Sequence, residues 1–228
     1  MGGKVKVTDA VLLLSGGLDS TTVAALLSSE KYSIRALTLN YGQRHSRELE
    51  SAKRVARYYS VEEHIIIDLD LSLIGGSALT DSSTPLPAAG AAGIPSTYVP
   101  ARNTVFLSIA LGLAEARGCR LVYTGVNAVD YSGYPDCRPE FIDEFNRLSA
   151  VATKAGVEKR AIKVIAPLIK MEKSDIVRLG KAKGAPYELT WSCYKGGKRA
   201  CGVCDSCVLR LKGFRDAGIE DPVEYENK

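Results

Sequence analysis

No stretch of this 228-residue chain is apolar over enough residues to cross a membrane or to form the core of a secretion signal, and no block of five or six like charges is present. Residues 1–8 hold little that is apolar besides Val5 and Val7, so the expected location is cytoplasmic. A formal net charge of +4 is too mild to demand a long nucleic-acid surface and suits a small anionic ligand. Neither direct nucleic-acid binding nor a membrane partner is expected. The glycine-rich turn near the start continues neither as G-x-x-x-x-G-K-[ST] nor as G-x-G-x-x-G, which sets aside kinase, GTPase and dehydrogenase readings.

That turn instead joins an apolar run, Leu12-Leu13-Leu14, through Ser15-Gly16-Gly17 to Leu18-Asp19-Ser20-Thr21-Thr22 and the opening of a helix. The first N–H groups of a helix have no internal partner and sit at the positive end of its dipole, so they face whatever anion occupies the turn. Gly16 and Gly17 let backbone approach closely. Ser15, Ser20, Thr21 and Thr22 add hydroxyls, and Asp19 is a carboxylate placed for a phosphate-bound Mg²⁺. A nucleotide site is expected over Leu14, Ser15, Gly16, Gly17, Leu18, Asp19, Ser20, Thr21, Thr22, Val23 and Ala24; a plain strand-to-helix turn with a Ser or Asp cap is the alternative. Ser15 to Ser20 resembles the SGGxDS loop of the ATP pyrophosphatases, which cleave ATP between its α and β phosphates to adenylate a substrate oxygen.

With 228 residues, 46% of them hydrophobic, the chain can bury one substantial core, or one core with a small appendage. Strands are expected at Lys4–Leu14, Ser33–Asn40, Glu62–Asp68, Arg120–Thr124 and Ile162–Ala166, alternating with helices at Asp19–Ser29, Ser46–Tyr59, Thr104–Arg117, Glu140–Lys154 and Lys173–Lys183. This order predicts an α/β fold, a doubly wound, mostly parallel, five-stranded Rossmann-like sheet over residues 1–190, with ligands at the carboxyl ends of the strands.

Between Leu71 and Pro100 the periodicity gives way to Gly, Ala, Ser, Thr and four prolines, which reads as a flap over the site or as a flexible insertion. Arg102 and Asn103 lie at the next helix start, with Asn103 as the expected N-cap. Asn127 follows a strand end, and Asp130, Tyr134, Asp136 and Arg138 crowd the loop after it, which suits a planar polar ligand or a solvated turn. Lys170 and Lys173 flank the last helix start, where either could reach phosphate or remain solvated.

Four of the six cysteines, Cys193, Cys201, Cys204 and Cys207, occupy a tail at 191–228 with spacing x7, x2, x2. Four thiolates so spaced can fold back on one ion, and zinc is the expected metal, structural and one per chain. An iron–sulfur cluster would normally carry a downstream C-x3-C-P, which is missing. Cys119 reads as a small buried hydrophobe, and Cys137, between Asp136 and Arg138, as either packing or reactive.

SGGLDSTT at Ser15 to Thr22, LNYGQRH at Leu39 to His45, YVPARN at Tyr98 to Asn103, TGVNAVDYSGYPDCRPEF at Thr124 to Phe141 and the cysteine tail together resemble the 7-cyano-7-deazaguanine synthase family of queuosine biosynthesis, from about Val11 to Leu211. Leu18 stands at the motif's variable position and Ala101 where glycine is frequent, and the 71–100 stretch is the least matched. The resemblance implies the adenine nucleotide alpha-hydrolase type of fold and an ATP-dependent carbon–nitrogen ligase. Its reaction would join 7-carboxy-7-deazaguanine and ammonia through adenylated acid and amide intermediates. It further implies Mg²⁺ with ATP, catalytic or phosphate contacts at Ser15, Asp19 and Lys173, and base recognition by the 127–138 loop. A homodimer is the expected assembly. A tRNA sulfur transferase shares the loop but would need an RNA-binding extension. A zinc-ribbon nucleic-acid module would use Lys195, Lys198 and Arg199 and leave the first 190 residues unexplained.

Overall fold

In the computed structural model, which describes residues 8–87, 93–129 and 134–226, five strands form one parallel sheet in the order β3-β2-β1-β4-β5. They are β1 (Asp9–Leu13), β2 (Ser33–Asn40), β3 (Glu63–Asp68), β4 (Leu121–Tyr123) and β5 (Lys163–Ile165). The main helices are α1 (Leu18–Ser29), α2 (Arg47–Tyr58), α3 (Arg102–Arg117), α4 (Pro139–Ala152), the short α5 (Lys154–Val157), α6 (Lys173–Ala182) and α7 (Asp205–Ala217). The expected doubly wound α/β fold is present; of the strand expected at Lys4–Leu14, residues 4–7 lie outside the described residues and β1 covers Asp9–Leu13.

Side-chain alternation along β1 feeds both faces of the sheet. Ala10, Leu12 and Leu14 join Val23, Leu27, Val55, Ile176 and Phe214 in one core, while Val11 joins Leu37, Leu107, Leu111, Ile142 and Phe145 in the other. Because both faces are covered, the central strands read as continuous aliphatic runs. The winding reverses between β1 and β4, and a crevice opens beyond their carboxyl ends.

Several boundaries differ from the sequence reading. Helix α3 starts at Arg102 with Ala101 as its N-cap at φ 52°, so Asn103 lies inside the helix, where the Asp136 carboxylate accepts its N–H at 3.0 Å. Capping from a residue 33 positions away leaves no local signal. α4 ends at Ala152, and Thr153 opens α5 by accepting from Gly156 N–H at 2.9 Å. Helix α7 is absent from the sequence expectations, which treat the tail through its four cysteines. Asp205 in its first turn and Gly218 at φ 70° beyond its end are the start and stop signals that mark it.

Part of the described 71–100 stretch is packed. Leu71, Leu79 and Val99 bury against Tyr41, and the Arg44 guanidinium donates to the carbonyls of Ala78 at 2.6 Å, Asp81 at 2.8 Å and Thr84. The tail is equally fastened. Arg210 of α7 pairs with Asp221 at 2.8 and 2.9 Å and donates to Thr190 Oγ1 at 2.7 Å, all in the interior.

Candidate active site

The turn after β1 is shaped by close backbone approach. Gly16 has φ +80°, and a Cβ there would stand 2.5 Å from Glu48 O and 2.9 Å from Ser51 C, so α2 abuts the turn directly. Gly17 caps α1, and the first bond of the helix, Thr21 N–H to Gly17 O at 3.1 Å, leaves the amides before it facing the turn. Ser15 Oγ accepts from Gly17 N–H at 3.3 Å and lies 3.0 Å from Ser20 Oγ. Gly125, after β4, holds the other side, since a Cβ there would meet Ser20 N at 2.8 Å.

Lys173, in the first turn of α6, is 8% exposed, and its Nζ donates to both Asp19 oxygens at 2.8 and 2.9 Å. A nearly buried ammonium is thereby fixed beside the turn. α7 crosses behind it at Gly213, where a Cβ would fall within 3.0 Å of Lys173 Cβ and nearer still to Cγ. Lys170 is exposed and outside the cavity lining.

These groups border a cavity of about 240 Å³ in the β1/β4 crevice. Of the eleven residues expected to bind nucleotide, Leu14, Ser15, Gly17, Leu18, Asp19 and Ser20 line it. Gly16 does not, and Thr21, Thr22, Val23 and Ala24 turn into the core. Thr22 Oγ1 donates to Leu18 O at 3.0 Å and lies 2.8 Å from Tyr187 OH. The helix period carries them to the packed face of α1.

The expected base-binding residues divide. Arg102, Asn103, Asn127 and Tyr134 line the cavity. The Asn127 amide donates to Leu168 O at 2.8 Å and Met171 O at 2.7 Å, fastening the chain before α6, and Asn103 Nδ2 donates to Asp136 O at 3.1 Å and Cys137 Sγ at 3.3 Å. Tyr134 OH lies 2.7 Å from Thr97 Oγ1, joining the loop to the 71–100 stretch. Asp136 is buried behind the lining as the α3 cap, and Arg138 is exposed at the start of α4. Asp130 lies outside the described residues. Cys137 is buried at the cavity wall, and burial, with the nearby Asp136 charge, pushes its thiol up to about 12, which disfavours the thiolate.

The sequence reading assigned no role to Glu48, Tyr41, His45 or Trp191, all of which line the cavity. Glu48 is half-buried, and burial pushes its carboxyl up to about 7 against the opposing charge of Arg102. The Arg102 guanidinium lies 5.7 Å from the Tyr41 ring centre and 5.8 Å from that of Phe106. Burial holds His45 below the usual histidine range. Its Nε2 lies 2.9 Å from Cys193 O, which can only accept, so Nε2 carries the hydrogen. LNYGQRH carried part of this signal through resemblance; Glu48, in a charged helix, resembled a solvated face.

The four tail cysteines are all buried, with their sulfurs within 4.8 Å of one another. Tetrahedral coordination with bonds of about 2.3 Å sets sulfurs about 3.8 Å apart, and Cys201 Sγ and Cys207 Sγ stand at 3.9 Å. Backbone N–H groups of Lys195, Cys201, Val203 and Cys204 point at the sulfurs of Cys193 and Cys201 over 3.3–3.5 Å, as thiolate ligands require. The cluster could hold a metal ion. It is also joined to the phosphate turn: Trp191 N–H donates to Gly16 O at 3.0 Å, and Trp191 Nε1 to Cys193 O at 2.9 Å. The Arg47 guanidinium stacks on the Trp191 ring at 3.9 Å.

A family model described as "Queuosine biosynthesis protein QueC" matches residues 9–218. Curated proteins named 7-cyano-7-deazaguanine synthase, from Pseudomonas putida and Pseudomonas fluorescens, are 59% and 57% identical over 218 residues, which is 95% of this chain and 97% of each relative. Among solved structures, NMN synthetase from Francisella tularensis superposes with a TM-score of 0.49 at 17% identity, covering 93% of this chain and 78% of that one.

Proposed function

The chain belongs to the QueC family of queuosine biosynthesis proteins, and we propose that its cavity converts 7-carboxy-7-deazaguanine and ammonia to 7-cyano-7-deazaguanine with two ATP. The substrate carboxylate attacks the α-phosphorus of ATP and pyrophosphate leaves. Ammonia displaces AMP to give the amide and releases a proton. The amide oxygen is then adenylated by the second ATP, with loss of pyrophosphate, and departs as AMP with loss of the two remaining N–H protons, leaving the nitrile.

The observation that carries this reading is the Lys173–Asp19 pair beside an open helix N-terminus and two serine hydroxyls. The first α1 amides, Ser15 and Ser20 receive the departing pyrophosphate, and Lys173 supplies a fixed positive charge in a desolvated setting, where it acts strongly. Little covalent chemistry falls to the protein, so alignment and charge stabilisation carry the rate. Mg²⁺ would come in with ATP, with Asp19 the carboxylate beside it. A zinc ion, one per chain, would be held by Cys193, Cys201, Cys204 and Cys207. With four thiolates the site is closed to substrate and would contribute folding free energy instead. Base recognition is assigned to residues of the 127–138 loop, and the described parts of the 71–100 stretch would cover the site.

Among the described residues no helix is long and apolar enough to cross a membrane, in keeping with a cytoplasmic enzyme. A homodimer is the proposed assembly. The testing experiment measures pyrophosphate released from ATP with and without the deazapurine acid. Release that depends on the acid, and that Asp19→Asn and Ser15→Ala abolish, is expected; release indifferent to the acid, or normal in both variants, refutes the reading.

A further inference from the structure

Glu48 stands in the first turn of α2, its backbone pressed against Gly16 and its side chain on the wall of the cavity that holds the phosphate turn. Two acidic side chains line that cavity among the described residues, Asp19 and Glu48. Asp19 gives both oxygens to Lys173. Glu48 has no hydrogen-bond or ion-pair partner among the described residues, and its carboxyl is raised by burial. The protein itself therefore does not supply the donors that a half-buried carboxylate needs.

The cavity must also admit two anionic reactants, ATP and a carboxylic acid, so a carboxylate in its wall that only the charge of Arg102 offsets, with no donor bonded to it, opposes binding unless one of them brings donors to it. The deazapurine does. A guanine edge presents N1–H and the 2-amino group side by side, a spacing that matches the two coplanar oxygens of one carboxylate. Tyr41 and Phe106, tilted against each other with ring centres 5.4 Å apart, offer aromatic surface in the same wall. Asp136, which the sequence reading also assigned to this task, has Oδ2 on the Asn103 N–H and a buried Oδ1 with no hydrogen-bond partner among the described residues, but it is not among the residues that line the cavity. We propose that Glu48 is the specificity-determining residue that reads the guanine edge of the substrate, an inference that rests on the function proposed above.

The experiment compares 7-carboxy-7-deazaguanine with the analogue lacking the 2-amino group, using kcat/KM and, without ATP, calorimetric titration. The wild type should prefer the guanine acid by on the order of 10- to 100-fold, since the analogue leaves one Glu48 oxygen unpaired. Glu48→Gln turns an N–H₂ toward one of the two donors, so it should lose that preference while keeping the wild-type melting temperature and metal content. Glu48→Asp, with both oxygens kept one methylene shorter, should retain the preference with weaker binding, and it serves if the Gln variant fails to fold. Three results would overturn the proposal: a preference surviving in Glu48→Gln, a preference abolished by Asp130→Asn but not by Glu48→Gln, or a Glu48→Gln defect confined to the KM for ammonium. A wild type that binds neither acid refutes the substrate reading itself, which is a distinct result from a wild-type preference that Glu48 does not control.

Discussion

Gly213→Ala places a methyl group where the stem of Lys173 now lies. The new Cβ would fall within 3.0 Å of Lys173 Cβ and closer to Cγ, whereas relaxed carbon contacts are about 3.5–4.0 Å. Either α7 backs away from α6 or the lysine stem retreats by roughly 1 Å, by the same measure. A retreat of that size breaks the two contacts from Lys173 Nζ to Asp19, now 2.8 and 2.9 Å, and a misplacement of about 1 Å in a positioned group can cost on the order of 100-fold in rate. Stability should respond far less. Alanine gains about 1 kcal/mol over glycine inside a helix, while overpacking costs about 1–3 kcal/mol. The net loss of about 0–2 kcal/mol corresponds to a fall of up to roughly 8 °C in melting temperature for a chain of this size. Gly112→Ala in α3 is the control: nothing lies within 4 Å of its added Cβ, so the same helix gain should appear with unchanged turnover. The assay is acid-dependent pyrophosphate release beside a thermal melt. Full turnover in a stably folded Gly213→Ala would refute the claim that Lys173 must be held where it is.

Arg210→Ala or Asp221→Ala should each cost about 3–5 kcal/mol in denaturant unfolding, because their side chains are only 4% and 2% exposed and each leaves the other charge unpaired; a loss below about 1 kcal/mol, the range of exposed pairs, would mean water reaches the pair. Cys204→Ser should release about one metal per chain by elemental analysis and also weaken ATP binding, since Trp191 ties the cysteine loop to Gly16 O; lost metal with unchanged ATP affinity would refute that coupling. Asp136→Ala should lower stability by about 1 kcal/mol through the lost α3 cap and leave ATP affinity unchanged; unaltered stability would return Asp136 to the ligand.

The parts of the site that were legible in the sequence are the ones written in consecutive residues. Ser15 to Ser20 reads as a turn at a cavity edge because two glycines and three hydroxyl or carboxylate side chains coincide at one strand-to-helix junction, and the cysteine spacing carries its own geometry. Lys173 was legible only as one of two lysines. What separates it from Lys170 is the helix phase that turns it inward and the glycine on α7 that makes room for it. Asn127 and Asp136 have structural partners that no sequence pattern announces, because an amide that fastens Leu168 and Met171 and a carboxylate that caps a distant helix look the same in sequence as groups facing only a substrate. Glu48 was underread for the converse reason. Its helix is charged all along, and only the fold shows that this one carboxylate faces inward and finds no partner among the described residues.

The central claim, that a carboxylate oxygen and then the amide oxygen on the same carbon are adenylated in one cavity, is tested most directly by counting products. Purified protein is given ATP, ¹⁵N-ammonium and 7-carboxy-7-deazaguanine, and AMP, pyrophosphate and the ¹⁵N-labelled deazapurine are quantified together by mass spectrometry. The account predicts a labelled nitrile with two AMP and two pyrophosphate per molecule, and a transient labelled amide that the same protein consumes when it is supplied with ATP alone. A labelled amide that accumulates as the end product with one AMP each, or a nitrile formed without AMP, would contradict it.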